Sequence, residues 1–244
     1  MNKVMIFDLD DTLYDQLSGF EYAYYRHFGD TDIGVERLYR HFRLYSEELF
    51  EATQTGALSV PDMHVVRITR AVADFDIELP EEKARAFQRD YEYAQQHIKL
   101  STTIVEMLQY LVQKNVKLGL LTNGESDRQR AKIKALGLDQ YIPKSNMFVS
   151  AELGLSKPDP AIFETVGKQM DVGASDAYFI GDHFDNDILG AMQVGWKAIW
   201  YNRRNRPQTD MTKQPTKKVM TEKALFEAIQ NIIESAKYES MWKD

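Results

Sequence analysis

The chain has 244 residues, of which 43% are hydrophobic and 27% are charged, a composition typical of a globular protein. Its formal net charge of −7 disfavours a broad nucleic-acid surface, and the lack of cysteine excludes disulfides, thiolate nucleophiles and cysteine metal sites. The sequence contains no run of about 18 apolar residues, so no membrane span is predicted. The N-terminal segment reaches Asp8 before the hydrophobic region of a signal peptide could form. We therefore expect a cytoplasmic protein.

The first element predicted along the chain is a buried apolar strand over residues 3–8. Residues 15–98 then lack a convincing buried strand and show the apolar stripes of amphipathic helices instead. These stripes are Leu38, Phe42, Tyr45 and Leu49, and Val65, Ile68, Val72 and Phe75. We therefore expect residues 15–98 to form a separate α-helical domain inserted after the first strand.

From residue 99 onward, short apolar strands alternate with helical patterns. Strands are predicted over 116–122, 147–150, 177–181 and 196–201, and helices over 104–114, 127–136, 160–170, 185–194 and 222–236. Buried strands that alternate with helices form a parallel sheet covered on both faces. The predicted fold is an α/β, Rossmann-like, doubly wound parallel sheet built from residues 1–14 and 99–244, with the helical domain inserted.

The most basic stretch of the chain runs from residue 197 to residue 218 and includes Arg203, Arg204 and Arg206. It also contains Pro207 and Pro215, which favour irregular structure. We interpret this stretch mainly as a solvated loop, with contact to an anionic ligand as the alternative.

Polar side chains collect where the predicted strands end. They are Asp8, Asp10 and Thr12 after the first strand, Thr122 and Asn123 after the second, and Asp182, Asp185 and Asp187 after the fourth. Ligands of open α/β folds bind at this carboxyl edge of the sheet. Lys157, just before the helix predicted from residue 160, is expected to reach the same edge.

Such a cluster of carboxylates has a restricted chemistry. Buried carboxylates that repel one another need a cation to stay ionised. An all-oxygen ligand set, without cysteine or a convergent histidine, favours Mg²⁺, which completes its shell with water and phosphate. A lysine suits phosphate oxygens, and a carboxylate can serve as a covalent nucleophile. The pattern therefore predicts magnesium-dependent chemistry on a phosphate ester.

Four motifs resemble the signatures of the haloacid dehalogenase-like (HAD) superfamily. They are Asp8-x-Asp10-x-Thr12, Leu121-Thr122-Asn123-Gly124, Lys157-Pro158-Asp159-Pro160, and Gly181-Asp182 followed by Asp187. All four occur in the family's order, and each stands at the end of a predicted strand or helix. The helical block between the first two resembles the family's cap domain of the first type (C1).

The resemblance implies a role for each matching residue. Asp8 would be the nucleophile, and Asp10 would protonate the leaving oxygen and then activate water. Mg²⁺ would be held by the Asp8 carboxylate, the Asp10 main-chain carbonyl and the Asp182 carboxylate. Asp187 would act through a metal-bound water or by orienting Lys157.

The resemblance also implies the phosphate site and the reaction class. Thr122, Asn123 and Lys157 would bind phosphate and stabilise the charge of the transition state, with Thr122 and Lys157 counted as catalytic. Thr12 would also bind the substrate. Dehalogenases of the superfamily lack a second carboxylate two residues after the nucleophile, so Asp10 favours a phosphatase.

Other classes are less well supported by the residues. Phosphonatases use a Schiff-base lysine from the cap. The cap here offers only Lys83 and, at its edge, Lys99, and neither has a persuasive setting. A non-catalytic binding protein on this scaffold would be expected to lose Asp8, Asp10 or Asp182, and all three are present.

At the level of substrate, several segments resemble the pyrimidine 5′-nucleotidase-like branch. They are residues 118–124, the spacing from Gln129 to Leu138, residues 55–58 and residues 200–202. A nucleoside 5′-monophosphate is therefore expected, with sugar phosphates or a phosphoglycolate-type metabolite as the alternative. The expected partner is a small phosphorylated metabolite rather than a nucleic-acid polymer or a membrane, and the chain is expected to be a monomer or homodimer.

Overall fold

The computed structural model describes the backbone of residues 3–241 and the side chains up to residue 235. The chain divides into two compact units, one formed by Met1–Asp15 with Lys99–Asp244 and the other by Gln16–Ile98. No helix in the part of the chain that the structure describes is long and apolar enough to cross a membrane.

The first unit is built on a parallel sheet of six strands. They are β1 (Val4–Phe7), β2 (Lys117–Thr122), β3 (Met147–Val149), β4 (Ala177–Gly181), β5 (Lys197–Tyr201) and β6 (Lys217–Val219). Their order across the sheet is β3-β2-β1-β4-β5-β6, so β1 pairs with β2 on one side and β4 on the other. The predicted doubly wound α/β fold is confirmed, and each of the five predicted strands is present.

Helices follow the strands of this unit and begin and end where local signals are strong. They are α6 (Thr102–Gln113), α7 (Ser126–Ala135), α8 (Ser150–Leu153), α9 (Pro160–Gln169), α10 (Gly190–Gln193) and α11 (Glu222–Met241). Ser101 caps the start of α6 by accepting a hydrogen bond from the Ile104 amide, and Asp159 does the same for α9 through the Ala161 amide. Gly137 adopts a left-handed conformation with φ of 61° just beyond α7, a conformation that favours glycine and commonly follows the end of a helix.

The helix predicted over residues 185–194 is wrong in type. A π-helix covers Phe184–Leu189 and continues into α10. Each π turn contains one more residue than an α turn, and such turns are frequent at functional sites. This wider turn carries Asp187, one of the predicted site residues.

The interpretation of residues 197–218 as a solvated loop is also wrong in part. Its last residues form β6, a strand that the sequence reasoning did not predict and that pairs with β5. The side chains of Arg203, Arg204 and Arg206 are only 13%, 18% and 22% exposed because they pair with carboxylates of the same unit. Charge alone predicts solvation, whereas these pairs allow the guanidinium groups to be largely covered.

The second unit consists of five helices. They are α1 (Gln16–His27), α2 (Val35–Glu48), α3 (Phe50–Gln54), α4 (Val60–Ala73) and α5 (Glu81–Gln95). Their core is aromatic and centres on Phe20, whose ring lies 5.0 Å from that of Phe42 and 5.4 Å from that of Phe87. The predicted stripes supply this core through Leu38, Phe42, Ile68 and Val72, all buried. Among the aromatic residues of α1, Tyr22 and Tyr25 stay exposed.

Candidate active site

Asp8 lies at the carboxyl end of the central strand, where the sheet delivers it to the edge that binds ligands in such folds. The Asp8 amide donates a hydrogen bond of 2.8 Å to the Ile180 carbonyl, so the strand pairing continues up to this residue. Its carboxylate is buried, with Oδ1 accepting a 2.7 Å bond from Lys157 Nζ and Oδ2 a 3.2 Å bond from Thr12 Oγ1. The first strand thus presents a fixed, largely dehydrated carboxylate.

Two further carboxylates converge on Asp8. Asp182 directly follows β4, Asp187 comes from the π-helix, and one oxygen of each of the three residues lies within 4.8 Å of the others. Asp187 Oδ1 accepts a 2.7 Å hydrogen bond from Lys157 Nζ, and its Oδ2 accepts a 2.9 Å bond from the His183 amide. Lys157 therefore joins two of the three carboxylates.

Gly181 leaves the space that Asp187 occupies. A Cβ atom at position 181 would lie 2.3 Å from Asp187 Oδ2, a distance that real side chains do not reach. The glycine before Asp182 is therefore required by close packing rather than by an unusual backbone angle.

The charges of this cluster are not balanced by protein cations alone. Burial raises the pKa of Asp8 to about 7, with Asp187 and Asp10 adding to the effect and Lys157 opposing it. Burial also raises the pKa of Asp182 well above its usual value, against the attraction of Arg206. Burial alone would lower the pKa of Lys157, but Asp187 and Asp8 raise it, so the lysine stays charged.

This set of donors fits a hard divalent cation. The three carboxylates offer only oxygen atoms, and an added positive charge would favour their ionised forms against burial. Asp8, Asp182 and Asp187 thus form a group of side chains that could hold a metal ion.

The Asp10 carboxylate does not belong to this group of three carboxylates. The predicted metal ligand at Asp10 is its main-chain carbonyl, not its side chain. Its Oδ1 accepts a 2.7 Å bond from Lys132 Nζ and a short bond from the Tyr14 hydroxyl, and its Oδ2 accepts a 3.0 Å bond from Gln129 Nε2. Burial would raise the pKa of Asp10, but the Lys132 ammonium and these hydrogen bonds lower it well below its usual range.

The second predicted signature arranges its neighbours through hydrogen bonds. The Thr122 hydroxyl is buried and accepts a 2.5 Å bond from Gln129 Nε2. The Asn123 side chain binds the backbone of Lys157 twice, donating to its carbonyl at 2.8 Å and accepting from its amide at 2.9 Å. Asn123 thereby fixes the loop that carries Lys157, in addition to its predicted place near phosphate.

Arginines from the segment after β5 surround the same edge of the sheet. Arg204 donates to Asp11 at 3.0 Å and makes a short contact with Asp15, while Arg206 lies 3.8 Å from Asp182. Asp11 has a φ of 58°, a left-handed conformation that is unfavourable for most residues other than glycine. The ion pair with Arg204 holds this strained turn between Asp10 and Thr12.

The sequence reasoning missed Lys132 and did not assign Gln129 to the site. The spacing was a partial signal, because Gln129, Lys132, Ile133 and Leu136 lie on one helix face. When polar residues share a helix face with apolar residues that pack into the core, they need a polar partner inside the protein.

Comparison with known proteins identifies the family. The model of the haloacid dehalogenase-like hydrolases matches residues 2–195. The chain belongs to this family. The HAD resemblance predicted from the four motifs is therefore confirmed.

Relatives agree with the predicted enzyme class. The chain is 28% identical to a glyceraldehyde 3-phosphate phosphatase of Methanopyrus kandleri, over 83% of this chain and 85% of the relative. It is 25% identical to the pyrimidine 5′-nucleotidase PynA of Streptococcus pneumoniae, over 95% and 97%. The putative HAD hydrolase YfnB of Bacillus subtilis shares the fold, with a TM-score of 0.69 at 22% identity over 94% of this chain and 99% of that one. The prediction of a phosphoric monoester hydrolase is confirmed at the level of class.

Proposed function

We propose that this HAD phosphatase hydrolyses small phosphate monoesters through a covalent aspartyl-phosphate on Asp8, with Mg²⁺ bound beside it. The observation that carries the proposal is the buried group of Asp8, Asp182 and Asp187, in which Lys157 pairs with Asp8 and Asp187. A buried, fixed carboxylate next to a lysine suits in-line attack on phosphorus, which depends mostly on positioning and electrostatics.

In the first half-reaction, an Asp8 carboxylate oxygen attacks phosphorus and the bond from phosphorus to the ester oxygen breaks. The leaving oxygen takes its proton from Asp10, and Lys157 with Thr122 stabilises the charge on the phosphoryl oxygens. In the second half-reaction, Asp10 accepts a proton from the attacking water. Inorganic phosphate then departs and the Asp8 carboxylate is restored.

Asp8, Asp182 and Asp187 supply the carboxylates for Mg²⁺, together with the main-chain carbonyl of Asp10. When bound, the cation offsets the negative charge shared by the nucleophile and the phosphate, which would otherwise repel one another. The chain's own residues then fix the direction of attack.

Within the class, we propose a nucleoside 5′-monophosphate as the substrate, with a pyrimidine base preferred to a purine. The motif-level resemblance to nucleotidases and the similarity to PynA over 95% of the chain support it. The second candidate is a sugar phosphate or another small metabolite, which the glyceraldehyde 3-phosphate phosphatase relative favours.

A substrate panel at saturating Mg²⁺ separates these candidates. We expect kcat/KM for pyrimidine nucleoside 5′-monophosphates to exceed that for triose and hexose phosphates and phosphoglycolate. A sugar phosphate ranked tenfold or more above every nucleotide, about 1.4 kcal/mol of transition-state binding, would replace the nucleotide assignment and keep the phosphatase.

The nucleophile and the metal are tested together on an aryl phosphate. Asp8→Asn should abolish turnover, because an amide does not attack phosphorus. Excess chelator should remove the activity of the wild type reversibly. Thermal unfolding measures Mg²⁺ binding independently of turnover. Mg²⁺ at about 100 times its Kd should stabilise the wild type by about 2.7 kcal/mol and stabilise Asp182→Asn far less. Full activity in chelator with no Mg²⁺-dependent shift contradicts the metal assignment.

A further inference from the structure

The Asp10 carboxylate is held by three side chains at once. Lys132 Nζ donates to both of its oxygens, at 2.7 and 3.0 Å, Gln129 Nε2 donates at 3.0 Å, and the Tyr14 hydroxyl donates to Oδ1. An ionised carboxylate accepts roughly four hydrogen bonds, so its accepting capacity is filled. These three residues therefore fix both the position and the orientation of Asp10.

Lys132 and Gln129 reach Asp10 from one face of α7. They are three residues apart, which places them one turn apart on the same side of the helix. Lys132 is 8% exposed and Gln129 is 3% exposed. Lysine is almost never buried to this degree unless it is paired, and in the structure its ammonium group is paired with Asp10.

Gln129 also links Asp10 to the phosphate-binding signature. Its Nε2 atom donates to the Thr122 hydroxyl at 2.5 Å as well as to Asp10. Gly124 gives the Gln129 side chain room, because a Cβ atom there would lie 3.0 Å from Gln129 Cγ. One amide therefore ties the general acid–base residue to the end of β2.

We propose that Lys132 and Gln129 are positioning residues that hold the Asp10 carboxylate for catalysis, and that Lys132 acts on turnover only through Asp10. This inference rests on the proposed function, in which Asp10 is the acid of the first step and the base of the second. Neither residue is assigned to the phosphate or to the metal, so their loss should lower kcat with little change in KM.

The test uses the full chain with Mg²⁺ and two substrates, an aryl phosphate and an alkyl phosphate. Lys132→Met removes the ammonium and keeps most of the side-chain length. We expect kcat to fall on the order of 10- to 100-fold, as when partners that orient a catalytic group are lost. KM should change less than about threefold, and Lys132→Arg should recover part of kcat because guanidinium also binds carboxylate. Lys134→Met is the matched control, since Lys134 lies on the same helix but is exposed, and its kcat should equal the wild-type value.

A double-mutant cycle with Asp10→Asn isolates the route of the effect. If Lys132 acts through Asp10, Asp10→Asn with Lys132→Met should match Asp10→Asn alone within about twofold. Additive losses, a wild-type kcat in Lys132→Met, or an equal loss in Lys134→Met would each overturn the proposal. Lys132→Leu provides the same cycle if Lys132→Met does not fold. If Asp10→Asn itself keeps wild-type kcat, the acid–base role in the proposed function fails instead.

Discussion

Asp8 and Asp10 lie two residues apart on one loop, yet their carboxylates have opposite surroundings. Burial raises the pKa of Asp8 to about 7, whereas Lys132 and the surrounding donors lower that of Asp10 despite burial. When two neighbouring carboxylates have pKa values shifted in opposite directions, they commonly have different roles in catalysis. Mg²⁺ would restore the ionised form of Asp8. The donors around Asp10 favour the ionised form that it needs as the base of the second half-reaction.

The role of Asp10 predicts a dependence on the leaving group. Asp10→Asn should lower kcat for an alkyl phosphate on the order of 10²- to 10⁴-fold, the usual contribution of a general acid–base group. The loss should be smaller for an aryl phosphate, whose leaving oxygen needs little protonation. Steady-state kinetics with both esters measures it, and equal losses for the two would argue against the acid role.

At the level of secondary structure, the π-helix and the glycine before it decide where Asp187 lies. The sequence predicted a helix in this region and placed Asp187 at the end of a strand, but the extra residue per turn depends on packing that periodicity does not reveal. Gly181 is close to Asp187 only because the wide turn folds back over the end of β4.

Gly181→Ala should therefore displace Asp187 and impair the site. Overpacking of this kind lowers the free energy of unfolding by about 1–3 kcal/mol, which urea unfolding would measure. We also expect kcat to fall, because Lys157 loses its ion pair with Asp187. Gly173→Ala is the control, since nothing lies within 4 Å of a Cβ atom at that position. A Gly181→Ala variant with wild-type kcat and stability would show that Asp187 can move at no cost.

The elements that the sequence predicted well are those in which one local signal dominates. The apolar strands and the carboxylates at their ends are such cases, and they gave the fold and the residues around Asp8. Lys132 was missed because a lysine in a polar helix is usually solvated, and its burial depends on α7 packing beside the loop of Asp10. The arginines after β5 were misread for the same reason, since Asp11 and Asp15 are distant from Arg204 in sequence.

At the scale of the whole molecule, the two units differ in how they depend on chain continuity. The unit Gln16–Ile98 is one continuous segment with its own aromatic core. The other unit is split, and its first segment contributes β1, which pairs with both β2 and β4 at the centre of the sheet.

This difference predicts how fragments behave. The fragment Gln16–Ile98 should fold alone, with helical circular dichroism and cooperative unfolding, but with a stability of no more than about 3–5 kcal/mol because its core is small. The fragment Lys99–Asp244 should not unfold cooperatively, since the strand between β2 and β4 is missing. Cooperative unfolding of the second fragment would show that β1 is dispensable for the sheet.

The central position of β1 also has a consequence for synthesis on the ribosome. Asp8 and its strand leave the exit tunnel before the strands that pair with β1, because β2 begins only at Lys117 and β4 at Ala177. At translation rates of 5–20 residues per second, the roughly 110 residues between β1 and β2 take about 6 to 22 s to make. During that time the apolar Val4–Phe7 segment has no strand to pair with, while the intervening helices can already fold. The nascent chain therefore passes through a stage in which a strand that is fully buried in the finished sheet is unpaired, and exposed apolar segments of this kind are prone to aggregation.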